Sequence, residues 1–339
     1  MKLGTFDVGR RVLVIAEIGN NHEGNFAAAQ ELLGRAAEAG ADAVKFQTFI
    51  PELFVSGADA ARLKRLQGFK LSQEQFARLG SQAKDLGVTF FSTPLDLTSA
   101  RFLDTIQPMF KIASGDNTFF PLIEAVASFA KPMIVSTGFA DMAQLDRVHA
   151  LVRSTWARAG VDPGLAFLHC VGCYPVPPEQ ANLAVIAALR ARFADCIVGY
   201  SDHTIGVRAA TYAVAAGARI VEKHFTLDKS YSDFRDHQLS ADPKDLRALV
   251  DAIREAEVLL GGGEKKPTAC ELQSLDAVRR SIAAARDLPA NHLVTAEDLI
   301  WVRPGTGLKP GQESAVVGRR TQRALKQGDL IRAEDVTAA

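Results

Sequence analysis

Short runs of apolar residues alternate with stretches of helical periodicity along most of the chain. Each run is rich in β-branched residues and short enough for a buried strand, and each precedes apolar positions that recur every 3.6 residues. The strand candidates are residues 12–18, 43–47, 88–92, 109–113, 132–136, 165–170, 196–200 and 219–223, and the clearest helical stretches are 25–39 and 242–260. Eight such units in about 260 residues predict an α/β fold, the TIM (β/α)8 barrel.

A doubly wound open sheet is the structural alternative to the barrel. No GxGxxG turn follows the first strand candidate, which weakens a dinucleotide-binding fold. The barrel is expected to close near Gly261, where the glycine-rich segment GGGEKKP begins. We therefore predict a barrel domain at 1–262, a linker at 263–277 and a small C-terminal domain at 278–339.

Composition narrows the class of protein. The chain has 339 residues, 47% of them hydrophobic, and a formal net charge of zero. It has no run of basic residues that would bind nucleic acid or an anionic membrane. It also has no signal-peptide pattern and no uncharged apolar stretch of about 18 residues, so we expect a cytoplasmic protein. Cys170 and Cys173 form a single CxxC without a second pair, which argues against a zinc ribbon and favours buried free thiols of unassigned role.

Two histidines follow the last two strand candidates. His203 and His224 flank one predicted helix, so their strands should be parallel and adjacent, with both imidazoles at one rim. Either histidine alone would be a satisfied polar group, but two at matching positions indicate a metal site. Asp202, Glu222 and Asp236 stand near in sequence. Imidazole with carboxylate suits Mn, Fe, Co or Zn, and the residue types do not choose among these metals.

Lys45 and Lys111 lie within otherwise apolar strand candidates. A buried ammonium group must find an anion or lose its charge. Three explanations follow: a structural ion pair with a carboxylate, a Schiff base as in class I aldolases, or a clamp for a small anion such as phosphoenolpyruvate. The hydroxyls of Thr93 and Ser114 at neighbouring strand ends favour the clamp.

Several strings resemble the sialic acid synthases, or nonulosonate synthase family. They are AEIGNNHEG at 16–24, KFQT at 45–48, FSTP at 91–94, KIASGD at 111–116, SDH at 201–203 and EKHFT at 222–226. RPGTG at 303–307 is similar to the antifreeze-like (SAF, β-clip) domain of the same enzymes. The resemblance implies a transferase of polysaccharide biosynthesis. Such an enzyme joins carbon 3 of phosphoenolpyruvate to the aldehyde of an open-chain N-acylated hexosamine, adds water at carbon 2 and releases phosphate.

The resemblance also implies roles for individual residues. Phosphoenolpyruvate would be held by Lys45, Thr93, Lys111, Ser114 and Ser201. The sugar, or a water held by the metal, would face Glu17, Gln47, Asp116, Tyr174 and Asp236. Of these residues we expect Glu17, Lys45, Lys111 and Asp236 to be catalytic. His203 and His224 would bind a divalent metal, with Mn favoured and Mg or Co as alternatives.

The C-terminal domain admits two interpretations. It could be a stabilising cap, or Arg303 could project from a rigid turn into the barrel mouth of its own or a neighbouring subunit. The resemblance implies that Arg303 reaches the N-acyl group from a partner subunit in a domain-swapped homodimer.

Departures from the family pattern leave the sugar open. Asp116 replaces a glutamate, Gly172 replaces an asparagine or serine, Leu95 replaces an aromatic residue, and segment 229–235 lacks the usual proline and glycine. The expected sugar is N-acetylmannosamine or a 2,4-diacetamido trideoxyhexose. A class I aldolase, a synthase of a shorter 2-keto sugar acid and a glycan-binding barrel without activity remain as alternatives.

Overall fold

The structure is a computed structural model that describes residues 2–4, 6–234 and 236–337. The chain divides into two compact units, Met1–Gly261 and Gly262–Ala339.

A short antiparallel pair that the sequence did not predict, β1 (Lys2–Leu3) and β2 (Phe6–Asp7), begins the first unit. Eight parallel strands then form one sheet. They are β3 (Leu13–Gly19), β4 (Ala43–Thr48), β5 (Thr89–Pro94), β6 (Phe110–Ile112), β7 (Met133–Ser136), β8 (Leu165–Cys170), β9 (Ile197–Asp202) and β10 (Ile220–His224). Their order in the sheet is β5-β4-β3-β10-β9-β8-β7-β6. β10 pairs with both β3 and β9, so the last strand joins the first and the sheet forms a nearly closed barrel. This confirms the predicted TIM barrel.

Helices connect the barrel strands and cover them. They are α1 (Phe26–Glu38), α2 (Pro51–Phe54), α3 (Ala60–Phe69), α4 (Gln73–Asp85), α5 (Leu97–Asp104), α6 (Phe120–Ser128), α7 (Met142–Ala159), α8 (Val185–Arg192), α9 (Arg208–Ala215), α10 (Asp236–Leu239) and α11 (Pro243–Leu260), with 3-10 turns at Ser114–Asp116 and Pro178–Gln180. α1 and α11 each begin one residue after their predicted start. Asn25 and Asp242 are N-caps, whose side chains accept hydrogen bonds from Ala28 N and Asp245 N.

Apolar side chains fill both faces of the barrel sheet. A central cluster inside the barrel includes Leu13, Ile15, Phe91, Ile134 and Leu168. Two larger clusters lie between the strands and the covering helices. Burial of both strand faces explains why the barrel strands read as nearly continuous apolar runs.

The second unit contains α12 (Ala269–Leu272), α13 (Leu275–Val278), an antiparallel pair, β11 (Ser281–Ala284) and β12 (Leu299–Val302), and 3-10 turns at Ala296–Asp298, Glu313–Ala315 and Ala333–Asp335. It has its own apolar core, which includes Ile282, Leu288 and Ile331. α12 falls within the segment predicted as a linker, where Thr268 and Glu271 form a capping box.

No helix among the described residues is long and apolar enough to cross a membrane.

Two glycines of the barrel unit test the packing of the strands. A Cβ on Gly199 would lie 2.5 Å from Ile220 O and 2.6 Å from Leu168 Cδ2, whereas one on Gly34 of α1 would meet nothing within 4 Å. Gly199→Ala is expected to lower the free energy of unfolding by about 1–3 kcal/mol through overpacking. Gly34→Ala is the matched control and should raise it by about 0.5–1 kcal/mol. Denaturant unfolding measures both, and equal effects would contradict this packing.

Candidate active site

Along each barrel strand, every second side chain points into the barrel. Ile15 of β3 lies in the central cluster, so Glu17 two residues later points to the same side. Ile220 of β10 lies there too, and Glu222 and His224 follow at two-residue steps. Inward positions therefore change from apolar at the amino ends of these strands to polar at their carboxyl ends, where the sites of TIM barrels lie.

The same alternation places the two lysines. Lys45 follows Ala43 by two residues and Lys111 follows Met109, and both of these apolar residues belong to the central cluster. Lys45 and Lys111 are 3% and 2% exposed. Both ammonium groups are therefore inside the barrel at its carboxyl end.

Two carboxylates join the lysines in one buried charge network. Lys45 Nζ lies 2.6 Å from Glu17 Oε2 and 3.6 Å from Glu222 Oε2, and Lys111 Nζ lies 3.5 Å from Glu222 Oε1. Both lysines thus have a carboxylate partner, as the structural explanation required. Since they share Glu222, the four charges form a single network of two cations and two anions.

Hydroxyl groups from three further strands complete this network. Lys45 donates to Thr93 Oγ1 at 3.2 Å, and Lys111 donates to Ser136 Oγ at 2.6 Å. Ser201 donates to Glu222 at 2.8 Å. Thr93 and Ser136 accept from the lysines and keep their own protons for an incoming anion, whereas Ser201 would have to give up its bond to Glu222 to donate to that anion.

Burial and the neighbouring charges set the protonation of the network. Burial raises the pKa of Glu17 to about 7, although Lys45 opposes the shift. Burial would also raise the pKa of Glu222, but Lys111, Lys45 and the Ser201 hydroxyl outweigh it and lower that pKa. Burial would lower the pKa of Lys45, yet Glu17 and Glu222 raise it, whereas burial lowers the pKa of Lys111. Near neutral pH, Glu17 is the carboxyl group of the network suited to exchange a proton.

His203 and His224 come together beside this network, with ring centroids 5.3 Å apart. His203 Nδ1 lies 2.9 Å from the Val171 carbonyl oxygen and donates to it, which leaves Nε2 with the lone pair. His224 Nδ1 is buried without a hydrogen-bond partner among the described residues, and burial lowers the pKa of His224 well below its ordinary value. Two adjacent imidazoles with ring nitrogens available at one rim fit a divalent metal ion.

A second cluster of possible metal ligands lies elsewhere on the barrel. Ligand atoms of His149, Asp195 and Cys196 lie within 4.8 Å of one another. Asp195 Oδ2, however, forms an ion pair with Arg153, whose Nε lies 2.8 Å away, and His149 Nε2 lies 2.9 Å from the same oxygen. The guanidinium already neutralises this carboxylate, so the cluster is explained as an ion-pair network.

Backbone close to Ser114 forms a second polar surface at the mouth. Gly138 N donates to Ser114 Oγ at 3.2 Å, and a Cβ on Gly138 would approach that oxygen to 2.7 Å.

A Cβ on Gly172 would lie 2.0 Å from the Phe139 ring. Phe139 therefore occupies the space that the asparagine or serine side chain of the family pattern would enter.

A cavity of about 600 Å³ opens beside His224. Its lining includes three of the residues predicted to face the sugar, Gln47, Tyr174 and Asp236. Gln47 donates to Glu17 at 3.3 Å, and the Tyr174 ring stacks on His203 at 4.1 Å. This cavity thus adjoins both the charge network and the histidine pair.

Asp116 lies on the Ser114–Asp116 turn, close enough to feel the charge of Lys111. Burial raises its pKa to about 6. It therefore belongs to the barrel mouth, although it is not among the cavity-lining residues.

One predicted site residue belongs to the second unit, and one residue near the site lies outside the described part of the chain. Arg303 is an exposed residue that follows β12 in the second unit. Arg235, in the segment that departs from the family pattern, lies outside the described residues. The expectation that Cys170 and Cys173 are both buried is half wrong: both are free thiols, but Cys173 is exposed.

Two protein-family models match this chain. The model of the NeuB family matches residues 32–265, and that of the SAF domain matches residues 279–337. This chain belongs to the NeuB family. The resemblance in the sequence motifs and the C-terminal SAF domain are thereby confirmed.

Relatives of this NeuB-family protein span almost its whole length. A Methanocaldococcus jannaschii protein named only as uncharacterised is 38% identical over 99% of this chain and 98% of its own. An N,N'-diacetyllegionaminic acid synthase of Legionella pneumophila is 39% identical over 96% of this chain and 94% of its own. The crystal structure of an N-acetylneuraminic acid synthetase from Leptospira borgpetersenii has a TM-score of 0.76 and 31% identity, covering 81% of this chain and 94% of that one.

Sequence reasoning gave no role to two residues that the NeuB-family structure places in the network. Glu222 was noted only as a carboxylate near His224, and Ser136 only as the end of a strand candidate. The signal that could have found Glu222 is its two-residue spacing from His224, which puts both on one strand face. Ser136 ends β7, as Ser201 lies near the end of β9.

Removing one charge of the network should lower the free energy of unfolding. Glu222→Gln keeps the side-chain volume but leaves Lys111 without its carboxylate, and removing one partner of a buried pair costs about 3–5 kcal/mol. Glu38→Gln is the control, because Glu38 pairs with Arg35 at an exposed site that contributes little. We expect a large loss of unfolding free energy only for Glu222→Gln. Similar unfolding curves for both variants would show that the network is not a stabilising unit.

Proposed function

We propose that this protein is a nonulosonic acid synthase. In the proposed reaction, carbon 3 of phosphoenolpyruvate bonds to the aldehyde carbon of an open-chain N-acylated hexosamine. Water adds at carbon 2, and the carbon–oxygen bond to phosphate breaks to give a nine-carbon 2-keto acid and inorganic phosphate. The observation that carries the proposal is the buried Lys45 and Lys111 pair beside two histidines at the mouth of a NeuB-family barrel.

The lysines are suited to hold the anionic substrate. Phosphoenolpyruvate carries a carboxylate and a phosphate, and both can bind ammonium groups inside a site of low dielectric. Thr93, Ser114 and Ser201 would add hydroxyl hydrogen bonds from neighbouring strand ends. Glu222 keeps Lys45 and Lys111 in place before the substrate arrives, because it lies within 3.6 Å of both.

Glu17 is the proposed proton-transfer group. Its pKa of about 7 lets it accept a proton from the attacking water or return one to the alkoxide that forms at the former aldehyde. Gln47 donates to Glu17 and lines the sugar cavity, so it can orient Glu17 towards the sugar. Asp236, Asp116 and Tyr174 would bind the hydroxyl and amide groups of the sugar.

His203 and His224 would hold a divalent metal ion, for which we propose Mn, with Mg or Co as alternatives. Such an ion, when bound, supplies Lewis-acid polarisation of the aldehyde oxygen. The histidine nitrogens support this role because, in the described part of the chain, His224 Nδ1 has no hydrogen-bond partner and His203 is oriented by the Val171 carbonyl.

The lining of the cavity supports an N-acylated sugar. Phe54, Leu66, Phe69 and Phe234 form an apolar part of its wall, which suits the methyl group of an acyl chain. Both N-acetylmannosamine and a 2,4-diacetamido trideoxyhexose carry such groups. The Legionella and Leptospira relatives bear the names of synthases of the corresponding products.

A class I aldolase is the second candidate. Burial lowers the pKa of Lys111, and a neutral amine at this position could form a Schiff base with a 2-keto acid. The assay below separates the two reactions.

Phosphate release from phosphoenolpyruvate is the first experiment. With Mn present, we expect release that depends on N-acetylmannosamine or on one of the 2,4-diacetamido trideoxyhexoses. Chelation should stop the release and added Mn should restore it, while Lys111→Met should abolish it. An Arg280→Met variant, which removes an exposed cation of the second unit, is the control for Lys111→Met.

Two results would contradict the synthase. One is no phosphate release by folded, Mn-loaded protein with any of these sugars. The other is borohydride trapping of pyruvate on Lys45 or Lys111, which would establish the aldolase.

We further propose a cytoplasmic, domain-swapped homodimer in which Arg303 of the partner subunit contacts the N-acyl group. The exposure of Arg303 in the second unit leaves it available for such a contact. Arg303→Ala should raise the KM for the sugar by about tenfold and leave the KM for phosphoenolpyruvate nearly unchanged. Arg280→Ala, on the same unit, should change neither. An equal rise of both KM values would exclude this role.

A further inference from the structure

The Glu23 carboxylate contacts the segment that carries Asp236 on both sides of that residue. Asp236 begins α10 after an irregular stretch that follows β10. On one side of Asp236, Ser232 Oγ donates to Glu23 Oε1. On the other side, His237 Nε2 lies 3.1 Å from the same oxygen. Glu23, on the loop after β3, therefore anchors the segment both before and after Asp236.

His237 connects this anchor to the end of β10. The residue is fully buried, and its Nδ1 lies 2.7 Å from Thr226 Oγ1. The Thr226 hydroxyl donates its one proton to the Asp228 carbonyl oxygen at 3.0 Å, so it must accept from Nδ1–H. The other ring nitrogen, Nε2, faces Glu23 Oε1. His237 thus bridges two loops and uses both ring nitrogens.

Backbone conformation and aromatic contacts support the same attachment. Glu23 has a φ of +46°, a region that non-glycine residues rarely adopt and that is often retained at functional sites. The Tyr231 ring lies 5.1 Å from His237, and Phe234 meets Phe69 of α3 edge-on at 5.3 Å. Phe69, Phe234 and Asp236 all line the sugar cavity, so these contacts set the shape of one of its walls.

We propose that His237 is a positioning residue that, through Glu23 and Thr226, fixes Asp236 against the sugar. This inference rests on the proposed function, since it assigns Asp236 to the sugar cavity. His237 does not line that cavity. A change at His237 should therefore alter binding of the sugar, through Asp236. It should not alter binding of phosphoenolpyruvate, whose proposed ligands lie on β4, β5, β9 and around β6.

Three substitutions separate the two contacts of His237. His237→Asn retains a donor near Thr226, His237→Gln retains one near Glu23, and His237→Phe retains neither. A misplaced site group can cost about 100-fold in rate, so we expect His237→Phe to lower kcat/KM for the sugar by about 10- to 100-fold. The KM for phosphoenolpyruvate should stay within about twofold. One of the two conservative variants should recover part of the loss.

A double-mutant cycle with Asp236→Asn tests whether His237 acts through Asp236. If it does, His237→Phe should add little further loss in the Asp236→Asn background, because neighbouring groups that act together are not additive. Additive losses, or an equal rise of both KM values, would overturn the proposal. His149→Asn is the matched control: His149 also pairs with a carboxylate, at 2.9 Å, but it lies on α7 outside the mouth.

Hydrogen exchange gives a readout that does not depend on activity. His237→Phe should increase amide exchange in residues 226–239 and leave residues 111–117 unchanged. Unchanged exchange in residues 226–239 would overturn the anchor even if the wild-type protein proved inactive with every sugar. Failure of the wild-type assay alone would instead count against the proposed function.

Discussion

The buried network of Glu17, Lys45, Glu222 and Lys111 is the constraint on which the barrel mouth depends. Four charges in a site of low dielectric are tolerated only when each has a partner, because an unpaired buried charge costs several kcal/mol. Glu222 is central, since it is shared by both lysines. The formal charge of the four groups sums to zero, so the network needs no further counterion to be buried. An arriving anion can then take over contacts that the carboxylates make.

This arrangement follows from the two layers inside the barrel. At the amino ends of the strands, inward side chains such as Ile15 and Phe91 pack into an apolar layer. At the carboxyl ends the next inward residues are Glu17 and Thr93. The apolar layer keeps water away from the side of the network that faces the amino ends of the strands. The resulting burial raises the pKa of Glu17 and lowers that of Lys111. The chemistry of the site is thus a consequence of the packing beneath it.

The proposed phosphoenolpyruvate site lies on barrel strands, whereas the proposed sugar site lies mainly on the connections between them. The phosphoenolpyruvate side consists of residues on barrel strands and their immediate ends, which hydrogen bonds of the sheet hold rigidly. The sugar side is formed largely by connections, α3 and the segment before α10, which side-chain contacts such as Glu23 with His237 hold in place. Connections can change without disturbing the barrel. Such a division would let relatives that are named as synthases of different sugar acids share the barrel-strand part of the site.

The sequence alone determined the barrel, its family and most of the residues at its mouth. Alternating strand and helix patterns have a short-range physical cause. Lys45 and Lys111 stand out because a charged residue inside an apolar strand needs a partner, and His203 and His224 stand out because they follow two successive strands. The sequence pattern did not show which of these side chains contact each other. That Glu222 serves both lysines, that Phe139 fills the space at Gly172, and that Glu23 reaches His237 across 214 positions depend on distances between segments far apart in the chain. Only the closed barrel sets those distances, because it brings the carboxyl ends of all its strands to one rim.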